Sequence, residues 1–344
     1  MLETGEHTHE THITTTDHNS DAAIAARSLR RTFKGGIEAV RDIDLTVWSG
    51  EVFGFLGPNG AGKTTTVRML CTLLPPTAGS ATVAGLDVVA DAAEVRRRIG
   101  VALQEIGLDP VQTGRELLEL QCGLYGVTGE RARTRTQELL ELVGLTEAAD
   151  RRTKTYSGGM KRRLDLASAL VHAPEVLFLD EPTTGLDPAS RLTIWDEVRR
   201  INAGGATVFL TTQYLEEADK LCDRLAIIDD GQIVAEGTPE QLKAEMGHDV
   251  VSVSVQAGDV AATEAALTGL TGLERVVVEP DGLALYVADG PGSIAEIVRL
   301  LEREQIGLGP ISVSRPSLDD VFLKATGRRL EGQEQPGQAT EVSQ

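Results

Sequence analysis

The stretch GPNGAGKT at residues 57–64 decides the fold of this chain, because it fits the pattern GxxxxGK[ST]. Residues 51–56 before it form an apolar run that predicts a buried strand, and Val67, Met69 and Leu70 after it predict a helix with an apolar face. A strand, a glycine-rich turn and a helix are the context in which this pattern indicates a phosphate-binding loop. A turn of the same kind that binds no ligand is the less favoured interpretation.

The chemistry of the loop follows from its residue types. Its glycines let backbone N–H groups close around a phosphate at a helix N-terminus, where the helix dipole favours anions. Lys63 supplies a cation for the β- and γ-phosphate oxygens, and Thr64 offers a hydroxyl to Mg²⁺. The residues predicted to bind the nucleotide here are Gly57, Pro58, Asn59, Gly60, Ala61, Gly62, Lys63, Thr64 and Thr65.

A second apolar run, residues 176–179, ends in Asp180 and Glu181. Side chains alternate between the two faces of a strand, so the two carboxylates are predicted to point to opposite faces. Asp180 would then hold Mg²⁺ through water, while Glu181 would face the water that attacks the phosphate. Two solvated acids at a strand end are the alternative, which the apolar strand and the following Pro182 make less favoured.

The stretch YSGGMK at residues 156–161, about 20 residues before Asp180, resembles the signature motif of ABC ATPases, and residues 156–188 resemble that family throughout. The resemblance covers about residues 24–245. It implies an α/β fold of the P-loop NTPase class with an inserted helical subdomain, ATP and Mg²⁺ as cofactors, and ATP hydrolysis. It also implies a head-to-tail homodimer with each ATP between the phosphate loop of one copy and Ser157, Gly158 and Gly159 of the other. The alternative for the two glycines is a simple helix start.

Four more residues take roles from the same resemblance. Phe33 would stack on adenine, Gln104 would sense Mg²⁺ and contact the membrane partner, and Asp187 would link the two sites of the dimer. The metal site would thus comprise Thr64, Gln104 and Asp180. Gln213 stands where most relatives have a histidine that contacts the γ-phosphate. A glutamine amide donates a hydrogen bond but carries no positive charge, so we expect slower hydrolysis, with Glu181 and Gln213 as the catalytic residues.

The composition excludes some classes of protein. No stretch approaches 18 consecutive apolar residues, and the three cysteines are scattered, so neither a membrane span nor a disulfide framework is predicted. The net charge is −19, of which −8 lies in residues 1–22 and 331–344, and such a balance disfavours nucleic-acid binding. Lys161-Arg162-Arg163 is a local basic patch. The four histidines of the N-terminal tail are interpreted as solvated rather than metal-binding.

Four segments are predicted along the chain. Residues 1–22 and 329–344 are polar tails without apolar runs and are expected to be disordered. Residues 23–247 form the ATP-binding domain, with the helical subdomain at about 107–172. Residues 248–328 form a small α+β domain whose strands and helices follow the order β-α-β-β-α-β, which predicts a ferredoxin-like arrangement. Within it, Ser293 and Glu296 predict a capping box at a helix start.

The segments 211–243 and 315–322 resemble one branch of the family, the daunorubicin/doxorubicin-resistance exporters. The resemblance implies a drug-export ATPase on the cytoplasmic face of the membrane, bound to a separately encoded permease. The alternatives are an importer subunit and a non-transport ABC ATPase of the translation or DNA-repair type. The last is disfavoured because there is one phosphate loop and one signature, and the 100 residues from Gly57 to Ser157 contain no sustained heptads.

Overall fold

The computed structural model describes residues 22–104, 107–247, 249–256, 258–279, 282–307, 309–328 and 330. The two predicted tails, with the tail histidines, lie outside the described residues except for residues 22 and 330. Residue 22 is the first residue of a strand rather than part of a disordered tail.

The described residues form fourteen strands and eleven α-helices. The strands are β1 (Ala22–Phe33), β2 (Ile37–Trp48), β3 (Val52–Leu56), β4 (Ala78–Val83), β5 (Leu86–Asp87), β6 (Ile99–Ala102), β7 (Val176–Asp180), β8 (Thr207–Thr212), β9 (Arg224–Asp229), β10 (Gln232–Gly237), β11 (Asp249–Ser254), β12 (Leu273–Glu279), β13 (Gly282–Val287) and β14 (Ile311–Ser314). The helices are α1 (Lys63–Leu70), α2 (Ala92–Arg98), α3 (Gly114–Leu124), α4 (Gly129–Leu142), α5 (Gly158–Ala169), α6 (Pro188–Ala203), α7 (Leu215–Leu221), α8 (Pro239–Ala244), α9 (Val260–Leu267), α10 (Gly290–Arg303) and α11 (Leu318–Thr326).

A central six-stranded sheet has the order β10-β9-β3-β8-β7-β6. Its strands are parallel except β10, which is antiparallel to β9. Every residue of β3, β7 and β8 is buried, because both faces of the sheet are covered. The carboxyl ends of these three strands meet at one edge, where the ligand sites of open parallel sheets lie.

Two apolar clusters cover the faces of this sheet. Val52 and Leu56 of β3 belong to one cluster with residues of α3 to α7, whereas Phe53 and Phe55 belong to the other, with residues of α1 and of a second, antiparallel sheet of order β2-β1-β4-β5. The ring of Phe53 stacks on that of Phe209 with 5.8 Å between centroids. The apolar runs predicted as strands are therefore strands with two buried faces.

Residues 107–172 contain α3, α4 and α5, as the predicted helical subdomain requires. Thr113 begins α3 with a capping box. Helices α3 and α4 of this segment precede the signature stretch and have 11 and 14 residues. Neither is of a length that forms an extended coiled coil, which weighs against the repair-type alternative.

The C-terminal elements β11-α9-β12-β13-α10-β14 form a four-stranded antiparallel sheet of order β12-β13-β11-β14. This strand order is that of the predicted ferredoxin-like arrangement. The predicted capping box at Ser293 is wrong: α10 begins at Gly290, Asp289 caps it, and the Ser293 hydroxyl donates to the Asp289 carbonyl at 2.6 Å. Asp289 followed by a proline in the first turn is a stronger start signal, and it comes earlier in the chain.

The apolar face of the closing helix α11 packs on the ATP-binding region. Leu318, Val321 and Phe322 are buried in the larger apolar cluster of the ATP-binding region, together with Leu242 of α8. The separate core of the C-terminal sheet is built around residues such as Val251, which α11 does not reach. The end of the described chain therefore returns to the first domain.

Candidate active site

The phosphate-loop residues 57–62 connect β3 to α1, whose first residues are Lys63, Thr64 and Thr65. Gly62 precedes the helix with φ at +106°, and a Cβ atom there would lie 2.4 Å from the Ala39 carbonyl oxygen, so only glycine fits. No side chain caps α1, which leaves its first N–H groups available to an anion.

Lys63 is buried at 4% exposure and bends back over the loop. Its ammonium group donates to the carbonyl oxygens of Gly57 at 2.8 Å and Pro58 at 3.0 Å, and it lies 3.2 Å from the Glu181 carboxylate. Burial lowers the pKa of Lys63, while the charges of Glu181 and Asp180 oppose that shift. The cation is therefore fixed at the centre of the loop.

Asp180 ends β7 as a buried carboxylate. Its Oδ1 atom accepts a hydrogen bond from Thr211 at 2.6 Å and one from Thr64 at 3.3 Å. Its Oδ2 atom is buried without a hydrogen-bond partner among the described residues. A threonine hydroxyl beside a carboxylate with a free oxygen is a donor set that fits Mg²⁺, a hard cation that prefers oxygen ligands.

Glu181 lies one residue beyond the end of β7 in a left-handed conformation, with φ at +49°. Its Oε2 atom accepts from the Gln104 amide at 3.2 Å and the Thr184 hydroxyl at 3.3 Å, while Oε1 pairs with Lys63. The prediction that Asp180 and Glu181 point to opposite faces is wrong. Alternation holds only for extended backbone, and the left-handed turn at Glu181 brings both carboxylates to the phosphate loop.

Ser157, Gly158, Gly159 and Asp187 form a second cluster. Ser157 caps α5 by accepting from the Met160 N–H group. Asp187 caps α6 through the Ser190 N–H at 3.0 Å and the Ser190 hydroxyl at 2.6 Å, and these hydrogen bonds lower the pKa of Asp187.

The two caps of this second cluster lie against each other. A Cβ on Gly159 would lie 2.9 Å from the Ser190 hydroxyl oxygen, so the start of α5 and the start of α6 are in direct contact. The side-chain hydrogen bonds of the second cluster join Ser157 to Met160 and Asp187 to Ser190, and among the described residues none of them reaches the phosphate loop.

Gln213 and Phe33 are the two remaining residues predicted for the site. Gln213 follows β8 directly, is half-buried, and its side chain forms no hydrogen bond with a described residue. Phe33 ends β1 with 39% of its surface exposed, and the Arg31 guanidinium lies over its ring at 5.0 Å. An exposed aromatic ring is available for stacking.

Sequence reasoning missed three residues of the site. Thr211 contacts both acidic residues, since its hydroxyl donates to the Asp180 carboxylate and accepts from the backbone N–H of Glu181 at 3.0 Å. Arg162, expected in a basic surface patch, is 4% exposed and contacts the backbone around Glu181. Glu217 is 1% exposed. Charged residues at buried positions are the signal for such roles, but burial depends on tertiary packing that periodicity does not reveal.

A phosphate loop after the buried parallel strand β3, faced by two carboxylates from the end of β7, two strands away in the same sheet, defines a nucleotide-binding cassette of the P-loop class. The family model described as ABC transporter matches residues 40–184, and that of the C-terminal domain of DrrA1-3-like ATP-binding proteins matches residues 237–326. The chain belongs to the ABC-transporter ATP-binding proteins, in the branch of the daunorubicin and doxorubicin resistance subunits. It therefore binds ATP and hydrolyses it.

Three known proteins illustrate the similarity. The daunorubicin resistance ATP-binding protein DrrA2 of Streptomyces coeruleorubidus is 47% identical over 91% of this chain and 97% of its own length. The doxorubicin resistance ATP-binding protein DrrA of Mycobacterium tuberculosis is 46% identical over 90% of this chain and 95% of its own. A dimeric ATP-binding cassette solved in a post-hydrolysis state with ADP and Pi has a TM-score of 0.58 at 28% identity, and the match covers 62% of this chain and 98% of that one.

Among the described residues, the helices are too short or too polar to cross a membrane.

Proposed function

We propose that this chain is the ATP-hydrolysing subunit of an exporter for a drug or antibiotic and that it powers a separately encoded membrane permease. The observation that carries the proposal is the convergence of half-buried Thr64 with buried Lys63, Asp180 and Glu181 at the carboxyl edge of the central sheet. The names of the two resistance subunits described above support the drug-export part.

Each residue of the group has a distinct task in hydrolysis. Lys63 binds β- and γ-phosphate oxygens and neutralises their charge. Thr64 and Asp180 would hold Mg²⁺, with Gln104 beside them, and the bound ion supplies further charge neutralisation. Glu181 orients the attacking water and accepts its proton, and Gln104 and Thr184 fix that carboxylate in place. Gln213 donates a hydrogen bond to the γ-phosphate.

The working unit is a homodimer. Ser157, Gly158 and Gly159 of one copy would face the γ-phosphate held by the loop of the other, with Asp187 linking the two sites and Phe33 stacking on adenine. The dimeric state of the solved cassette supports this arrangement. An α5 N-terminus with two glycines offers N–H groups to an anion but is too small to bind ATP alone.

The division of labour along the chain belongs to the same proposal. Residues 23–247 act as the ATP-binding domain, and residues 248–328 as an accessory α+β domain, with α11 packed on the first. The subunit works on the cytoplasmic face of the membrane through its permease, and it binds no nucleic acid.

A mild-detergent pull-down of the tagged chain from native membranes, followed by mass spectrometry, tests the proposal. An integral membrane protein recovered at near-equal stoichiometry would support it and would identify the permease. A Lys63→Ala chain serves as a control for nucleotide-dependent recovery. Recovery of ribosomal or DNA-bound proteins, without a membrane protein, would overturn the transport function.

A further inference from the structure

Arg162 lies four residues after Gly158 in α5, and its guanidinium group is almost completely buried. Its Nε atom donates to the Pro182 carbonyl at 3.0 Å, and Nη2 donates to the Asp180 carbonyl at 3.0 Å. Its Nη1 atom donates to the Leu103 carbonyl and to the Asp165 carboxylate. One side chain thus binds three separate backbone carbonyls.

The three carbonyls belong to the catalytic segments. Asp180 and Pro182 flank Glu181 on both sides, and Leu103 immediately precedes Gln104, whose amide holds the Glu181 carboxylate. Glu181 itself has a left-handed backbone, which costs free energy and persists only where the surroundings enforce it. The Arg162 guanidinium stabilises this conformation, because it donates hydrogen bonds to the carbonyls of both residues that flank Glu181.

A purely packing role would not require an arginine here. A buried guanidinium is costly unless it is paired and hydrogen-bonded, and an apolar side chain of similar volume often packs as well or better. Asp165 on the same helix supplies the counter-charge at 3.2 Å. The planar fork of arginine serves several carbonyls at fixed angles, which the single ammonium group of a lysine does not.

We propose that Arg162 is a positioning residue for ATP hydrolysis, which ties the helix that begins at the signature serine to the backbone on both sides of Glu181 and before Gln104. A shift of α5 when Ser157 engages the partner copy's nucleotide would then move the catalytic carboxylate directly. The inference rests on the proposed role of Glu181.

The first test compares Arg162→Gln with Arg163→Gln, a matched control on the same helix. Arg163 also donates to backbone carbonyls, but to those of Val143 at 2.7 Å and Gly144 at 3.3 Å, which are remote in sequence from the catalytic segments. We expect the Arg162 variant to lose about tenfold or more in kcat, since small misplacements of catalytic groups have effects of that order, with KM for ATP little changed. The Arg163 variant should keep wild-type kcat. An equal loss of kcat in both variants would overturn the proposal.

The second test covers the case in which the single variant does not fold. The double variant Arg162→Met/Asp165→Asn removes both buried charges and preserves packing, so it should fold. A folded double variant with reduced kcat and unchanged KM supports positioning, whereas wild-type kcat overturns it. Arg162→Lys keeps a positive charge beside Asp165 but lacks the planar guanidinium group, so its kcat should also be lower than that of the wild-type protein.

Glu181→Gln is measured in parallel with these variants. If Glu181→Gln retains wild-type turnover, the catalytic assignment has failed, which is distinct from a failure of the role of Arg162.

Discussion

Glu217 of α7 is a buried carboxylate that joins three segments of the ATP-binding domain. Its Oε1 atom accepts from the Thr183 hydroxyl at 2.9 Å and from the Trp195 indole N–H at 3.0 Å. Thr183 lies two residues after Glu181, and Trp195 lies in α6. Burial raises the pKa of Glu217, and the hydrogen bonds oppose that shift. The acceptor oxygen therefore matters more to the fold than the charge does.

Replacing Glu217 with leucine leaves two buried donors without an acceptor. Each such donor costs about 1–3 kcal/mol. Removal of a desolvated carboxylate offsets part of this, so we expect a net loss of roughly 2–4 kcal/mol in the free energy of unfolding. For a domain of this size that corresponds to a fall in Tm of about 4–16 °C. Glu217→Gln keeps the acceptor oxygen and should stay within about 1 kcal/mol of wild type.

The assay is equilibrium urea unfolding and thermal unfolding, both followed by far-ultraviolet circular dichroism. Glu216→Leu is the matched control, because Glu216 is the exposed neighbour on the same helix and should change stability by less than about 0.5 kcal/mol. The reasoning is refuted if Glu217→Leu is as stable as wild type, or if Glu217→Gln is as unstable as Glu217→Leu.

Three further predictions concern the site. Lys63→Ala should lower ATP affinity by at least about tenfold, because it removes the buried cation. Isothermal titration calorimetry measures this affinity, and an unchanged value would contradict the prediction. Gln213→His should raise kcat severalfold through a charge-assisted hydrogen bond, and unchanged turnover would disprove the expected penalty of glutamine. Burial raises the pKa of Asp165 from 3.8 to about 6, so the folded state favours the protonated carboxyl. The resulting contribution to the free energy of unfolding is fully present below pH 3.8 and is lost as the pH rises through about 6. Asp165→Asn should therefore gain stability relative to wild type between pH 5 and pH 7 in urea unfolding, and a constant difference would contradict the shift.

The sequence predicted what depends on local pattern. The phosphate loop, the buried strands that precede Lys63 and Asp180, and the β-α-β-β-α-β order all follow from periodicity and from motifs of adjacent residues. In such cases all the interacting groups lie within a few residues of one another.

What the sequence did not reveal depends on groups that are distant in the chain. Arg162 is buried because carbonyls 18 and 20 residues further along and 59 residues earlier accept its hydrogen bonds. The left-handed turn at Glu181 is held by Thr211 on the neighbouring strand. Helix α11 carries an apolar face that would suit either core, and only the tertiary structure shows that Phe322 packs in the first.

The catalytic role of Glu181 is the central claim, and the Glu181→Gln variant tests it most directly. Its ATP turnover and its oligomeric state should be measured with and without MgATP, by phosphate release and by size-exclusion chromatography with light scattering. Loss of the general base should reduce turnover by about 10²–10⁴-fold, while ATP still binds and a dimer accumulates. Turnover close to that of the wild-type protein would contradict the account, because the catalytic carboxylate would then lie elsewhere.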